Sequence, residues 1–197
     1  MITSSKKWSE FADDTNTQQA ILVELKRVMQ QARWFGGKAY EMKALETDHC
    51  LPFDFEDCRY YYFIVQTSYT DHPTEYYLVP LGIASDKGTG AITEISFADT
   101  KGFLHDAVYM PHFQKSLFQS ILQDNPVATS NGEFLFEKGK LVPENESFEN
   151  SRNPNVDQSN SSIFFNEKYF MKIYRKLFLQ TNPEVDVLRF LGNRKLQ

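Results

Sequence analysis

Ser159-Asn160-Ser161-Ser162-Ile163-Phe164-Phe165-Asn166-Glu167-Lys168-Tyr169-Phe170-Met171-Lys172-Ile173-Tyr174-Arg175-Lys176-Leu177-Phe178-Leu179-Gln180-Thr181-Asn182-Pro183-Glu184-Val185-Asp186-Val187-Leu188-Arg189-Phe190-Leu191 is the stretch in which this chain begins to specify chemistry. Gln158 to Ser162 carries short polar side chains that hydrogen-bond nearby backbone, which predicts a turn. The β-formers Ile163, Phe164 and Phe165 follow at once. Asn166-Glu167-Lys168 separates them from Tyr169 to Tyr174, and this spacing predicts a hairpin. Along the second strand Phe170, Lys172 and Tyr174 share one face and Tyr169, Met171 and Ile173 the other. Lys172, flanked by aromatic residues, must reach solvent or find an anion.

After the hairpin, Asn182 reads as a helix N-cap, Pro183 as the first helical residue and Glu184 as an acid near the positive end of the dipole. Glu184 and Asp186 lie about 200° apart on the wheel, so only one of them can face Lys172. The wheel favours Glu184, which falls on the apolar side, whereas Asp186 sits opposite beside Arg189. A polar turn, a strand, a lysine-bearing strand and a capped helix, in that order, suit a nucleotide-phosphate site.

Outward from this stretch the chain reads as α+β. Ile21, Leu22, Leu25, Val28, Met29 and Ala32 recur at helical spacing over Gln18 to Ala32. Gly36-Gly37 then lets the chain turn back, with Trp34-Phe35 pinning the corner to a sheet. Strands are expected over Tyr40 to Leu45, Arg59 to Ser68, Glu75 to Ala84 and Ala91 to Phe97, with breakers at Pro52-Phe53-Asp54, Asp71-His72-Pro73 and Asp86 to Gly90. A helix laid across such an antiparallel meander buries its apolar face. Met1 to Thr17 is polar and reads as loose apart from Trp8 and Phe11. Met110 to Gln123 is an amphipathic helix, Glu133 to Leu141 a small hairpin around Lys138-Gly139-Lys140, and Val142 to Gln158 a linker. The expected division is a cap over 1–104, a connecting helix and hairpin over 105–150, and a third unit over 151–197.

Composition removes several classes. The net charge of −5 and pI near 5.4 oppose a nucleic-acid or anionic-membrane partner. Charge is uneven, with seven acids against three bases in 124–157 and three against seven in 166–197. No apolar run is long enough to span a membrane, and the polar N-terminus lacks a signal core, which points to a cytoplasmic location. Cys50 and Cys58 lack metal-ligand spacing and read as reduced structural residues. His49, His72, His105 and His112 are too scattered for a zinc pattern. Asp86-Lys87-Gly88-Thr89-Gly90 lacks the lysine-serine step of a phosphate loop and reads as a turn.

Three spaced groups of residues resemble one family in the right order. They are Arg33-Trp34-Phe35-Gly36-Gly37-Lys38, then His105-Asp106-Ala107 with Pro111 and Phe113, and finally Ser159 to Ser162, Phe170 to Arg175 and Asn182 to Leu191. The family is the maltokinases, ATP-dependent sugar kinases often joined to trehalose synthase. The resemblance implies a cap followed by the opening of a kinase N-lobe. It implies that Ser159, Asn160, Ser161 and Ser162 cover the ATP phosphates in place of a glycine-rich loop. Lys172 would pair the α- and β-phosphates, held by an acid of the next helix, for which the family pattern offers both Glu184 and Asp186. It further implies transfer from ATP to maltose, giving maltose 1-phosphate for α-glucan synthesis, with Mg²⁺ and the catalytic aspartate held by residues absent from this chain, so that these 197 residues alone are inactive. A different class of function, a docking domain that joins the kinase to trehalose synthase, shares the fold and differs on the role of the tail.

Overall fold

In the computed structural model, residues 1–124, 126–129, 132–154, 160–178 and 182–193 are described. The strands are β1 (Ile2–Thr3), β2 (Met42–Phe55), β3 (Cys58–Tyr69), β4 (Glu75–Ala84), β5 (Ala91–Ser96), β6 (Lys101–Asp106), β7 (Val127–Thr129), β8 (Gly132–Phe134), β9 (Ser151–Arg152), β10 (Ser161–Phe165), β11 (Tyr169–Ile173) and β12 (Lys176–Leu177). The helices are α1 (Thr15–Gln31), α2 (Pro111–Gln123) and α3 (Pro183–Asn193). The fold is α+β.

The main sheet runs β1-β5-β6-β4-β3-β2, and β12 adds itself to β4. β2, β3 and β4 form the expected antiparallel meander. β5 does not pair with β4, because β6, which the sequence did not signal, lies between them. The Asp86–Gly90 segment is therefore a turn in a crossing connection and not a hairpin loop. The imidazole of buried His105 holds it, with Nε2 2.9 Å from the Asp86 carbonyl and Nδ1 3.3 Å from that of Thr89.

The sheet is buried on both faces, and β3 states why. Tyr61, Phe63 and Val65 point to α1, where they meet Ile21, Leu22, Leu25 and Met29. Tyr60 and Tyr62 point the other way, to Phe113, Leu117 and Phe118 of α2 and to Ile163 and Phe165 of β10. The period of two in a run of aromatics thus feeds two cores from one strand. No described helix is long and apolar enough to cross a membrane. Cys50 and Cys58 are free thiols, and burial, aided by the Asp13 charge, pushes Cys50 up to about 12.

Several expectations need correction. β2 runs straight through Pro52-Phe53-Asp54, and the reversal falls at Glu56-Asp57, where Glu56 takes a φ of 51°. β2 is an edge strand, and an edge tolerates the missing N–H donor of proline. The N-terminus is ordered: β1 pairs with β5, Trp8 and Phe11 enter the core, and Asp14 caps α1 by accepting from Thr17. The hairpin expected around Lys138-Gly139-Lys140 lies earlier, between β7 and β8. The segment 146–150 is tethered, because the Asn166 amide receives hydrogen bonds from the Glu149 and Asn150 N–H groups and donates to Glu146 and Ser147.

Candidate functional site

β10 and β11 form the expected hairpin, with Ser162 directly across from Lys172 and Phe164 from Phe170. Asn166 and Glu167 take positive φ in its loop. Tyr169, Met171 and Ile173 pack toward α2, which leaves Lys172 on the open face. Its ammonium donates to Glu184 Oε1 at 2.6 Å and lies 5.1 Å from the Tyr174 ring. Glu184 is held in place because Asn182 Oδ1 accepts its N–H at 3.0 Å, the cap foreseen for α3. Lys172 therefore pairs with Glu184, while Asp186 is exposed on α3. The hydrogen bond from Lys172 draws the Glu184 carboxyl below the usual range, and the same contact raises Lys172. The result is a fixed, solvent-reachable cation beside its counter-charge.

The polar segment ahead of the hairpin differs from its expected form. Ser161 and Ser162 are buried and open strand β10, because they pair with Ile173 and Lys172. Asn160 occupies a bend, and Ser159 lies outside the described residues. Asn160, Ser161 and Ser162 line one cavity together with Arg33, Trp34, Tyr109 and Asn153. Lys172 does not line this cavity but stands across the ladder from Ser162, which does. Among the described residues no group of three His, Cys, Asp or Glu side chains could hold a metal ion.

Beneath this edge sits a residue that sequence reasoning passed over. Arg175 is fully buried, and its guanidinium donates to Asp106 Oδ2 at 2.6 Å, to Ser161 Oγ at 2.7 Å and to the Leu78 carbonyl at 3.3 Å. It also lies 5.0 Å from the Trp34 ring. A second tie runs beside it. Asn153 Nδ2 donates to the Ser162 carbonyl at 3.1 Å, and Gln114 Nε2 donates to Asn153 Oδ1 and the Val108 carbonyl, each at 2.7 Å. The only signal that could have singled out Arg175 was its place among residues of the three spaced groups, since Trp34, Asp106 and Ser161 all come from them.

The Trp34-Phe35-Gly36-Gly37 corner is a packing device. Trp34 and Phe35 are buried, and their rings lie 6.1 and 5.0 Å from that of Tyr77. A Cβ on Gly37 would stand 2.0 Å from the Tyr69 hydroxyl, so only glycine fits. Tyr69 and Tyr77 both donate to Glu75 Oε2, at 2.7 and 2.6 Å, while His72 and Lys176 reach Oε1. Burial raises the Glu75 carboxyl, but hydrogen bonds from Lys176, Tyr77, Tyr69 and His72 outweigh it and set it at about 2. Lys176 belongs to β12, so this buried acid ties the tail to the sheet. Residues 29–109, which contain the tryptophan corner, the Glu75 cluster and Asp106, match the family model of the maltokinase N-terminal cap domain, and this part of the chain is similar to that domain.

Proposed function

We propose that the chain supplies the cap and the opening of the ATP-binding lobe of a kinase that phosphorylates maltose. In this reading residues 1–104 form the cap, 105–150 connect, and 151–197 begin the N-lobe. Lys172 neutralises the α- and β-phosphates of ATP, Glu184 holds the ammonium in place, and Ser159 to Ser162 cover the phosphates, with Asp186 on the solvent side of the same helix turn. ATP, bound with Mg²⁺ held by other residues of the complete kinase, supplies the γ-phosphoryl group for the anomeric hydroxyl of maltose. The maltose comes from a trehalose synthase, fused or associated, and the maltose 1-phosphate formed feeds α-glucan synthesis in the cytoplasm.

The observation that carries this reading is the Lys172–Glu184 pair at 2.6 Å, set between a hairpin and a capped helix that follow a region similar to the maltokinase cap. In the full-length protein, Lys172→Ala is expected to abolish ATP-dependent phosphorylation of maltose; undiminished activity would reject the assigned role.

A docking role is the second reading, and one feature favours it. A mainly apolar cleft crosses β2, β3, β4 and β12, lined by Leu51, Ile64, Tyr76, Leu177 and Phe178 together with Asp48 and His49, with Phe178 61% exposed. Retention of trehalose synthase by the intact protein, and its loss with Phe178→Ser, would support docking there; equal retention by both proteins would reject it.

A further inference from the structure

We infer that Arg175 is a positioning residue for the nucleotide site, through which the cap sets the place of both the polar bend and Lys172. The inference rests on the reading of that site given above and adds to it how the cap acts on it.

β11 and β12 are one run of chain divided between two sheets. β11 pairs with β10 in a three-stranded sheet, and β12 pairs with β4 in the main one. Arg175 sits at the crossing. Its carbonyl accepts from the Leu78 N–H at 2.7 Å, which locks the backbone to β4 at the point of transfer. Its side chain then turns to three parties at once: Asp106 at the end of β6, Ser161 at the start of β10, and the Trp34 ring. One buried cation therefore holds the cap, the strand that covers the phosphates and the strand that carries Lys172.

Lys172 stands three residues upstream, about 10 Å along an extended strand. A shift or tilt at Arg175 is passed directly to its ammonium. The bend is referenced to the same turn after β6 by a second route, because Asn153 and Gln114 tie the Ser162 carbonyl to Val108, two residues beyond Asp106. Ser161 and Ser162 are thus both measured from residues 106–108. The task needs arginine: a planar fork with five donors reaches acceptors in different directions while its face rests on an indole, and a lysine ammonium cannot do both.

A merely structural ion pair and a positioning pair predict different outcomes once both charges are removed together. Replacing a buried pair by apolar residues of similar volume commonly leaves stability unchanged or higher. The test uses the full-length kinase with Arg175→Lys and with the pair Arg175→Met and Asp106→Leu. The readouts are the Kd of ATP by calorimetry, KM for ATP and for maltose, and the thermal melting transition. The doubly neutralised protein is expected to melt cooperatively near the parent while its Kd and KM for ATP rise at least fivefold and its KM for maltose stays within twofold. Arg175→Lys is expected to weaken ATP in the same sense. A neutralised protein that folds and binds ATP within twofold of the parent would overturn the inference, as would equal losses for both substrates. Lys172→Ala, measured alongside, separates the two claims. If it abolishes ATP binding while the neutralised pair leaves binding intact, only the role of Arg175 falls; if Lys172→Ala changes nothing, the nucleotide reading falls and takes that role with it.

Discussion

Two ion pairs stand three residues apart on one run of chain, Lys172–Glu184 and Arg175–Asp106, and each closes at 2.6 Å. Their surroundings are opposite. The side chains of Arg175 and Asp106 are 0% and 8% exposed, whereas those of Lys172 and Glu184 are 27% and 48% exposed. Equal geometry therefore carries unequal consequences. The buried pair cannot be broken without stranding a charge, and it fastens the tail to the end of β6. The exposed pair contributes little to stability and keeps its ammonium within reach of an anion from solvent. One run of chain thus turns Arg175 inward as an anchor and Lys172 outward to solvent.

The sharpest way to break this comparison is to remove one member of the buried pair. Arg175→Met leaves Asp106 unpaired and is expected to cost about 4 kcal/mol in denaturant unfolding. Adding Asp106→Leu should recover most of that loss; a single variant as stable as the parent would show that the pair is not the anchor.

Acid probes the neighbouring anchor, Glu75. Its folded carboxyl titrates at about 2 against an ordinary value of 4.5, so the unfolded chain takes up its proton first as pH falls. The stability it contributes is fully present above pH 4.5 and is lost on the way to pH 2, by about 3 kcal/mol. Glu75→Gln should flatten this part of the stability–pH curve, and an unchanged slope would contradict the proposed cluster.

Gly37→Ala forces a methyl group against the Tyr69 hydroxyl that serves Glu75, and overpacking of this kind costs about 2 kcal/mol. Melting should fall while the Lys172–Glu184 pair stays intact. Smallest in stability, Lys172→Met should leave the melting temperature nearly unmoved. A large drop there would erase the distinction between the two pairs.

What the sequence made legible follows the range of the forces involved. The hairpin of β10 and β11 and the Asn182 cap were readable because period and turn chemistry act within a dozen residues; the helix wheel favoured Glu184, while the family pattern left Asp186 open as the partner of Lys172. The tryptophan corner was readable for the same reason. β6 was missed because its place between β4 and β5 is decided by distant partners. Pro52 misled because a breaker in a central strand is harmless at an edge. Trp8 and Phe11 were noticed, yet the order they impose on the N-terminus depends on a core assembled elsewhere. Arg175 gave no local sign of burial, since its carboxylate partner lies 69 residues away. Ser161 and Ser162 read as turn formers, and only pairing with β11 makes them strand.

The most direct measurement is ATP binding to the full-length protein by titration calorimetry, with and without Lys172→Ala. A clear binding isotherm in the parent and its disappearance in the variant, with melting unchanged, is the predicted result. Equal ATP affinity in the two proteins would contradict the assignment of the exposed ammonium to the phosphates.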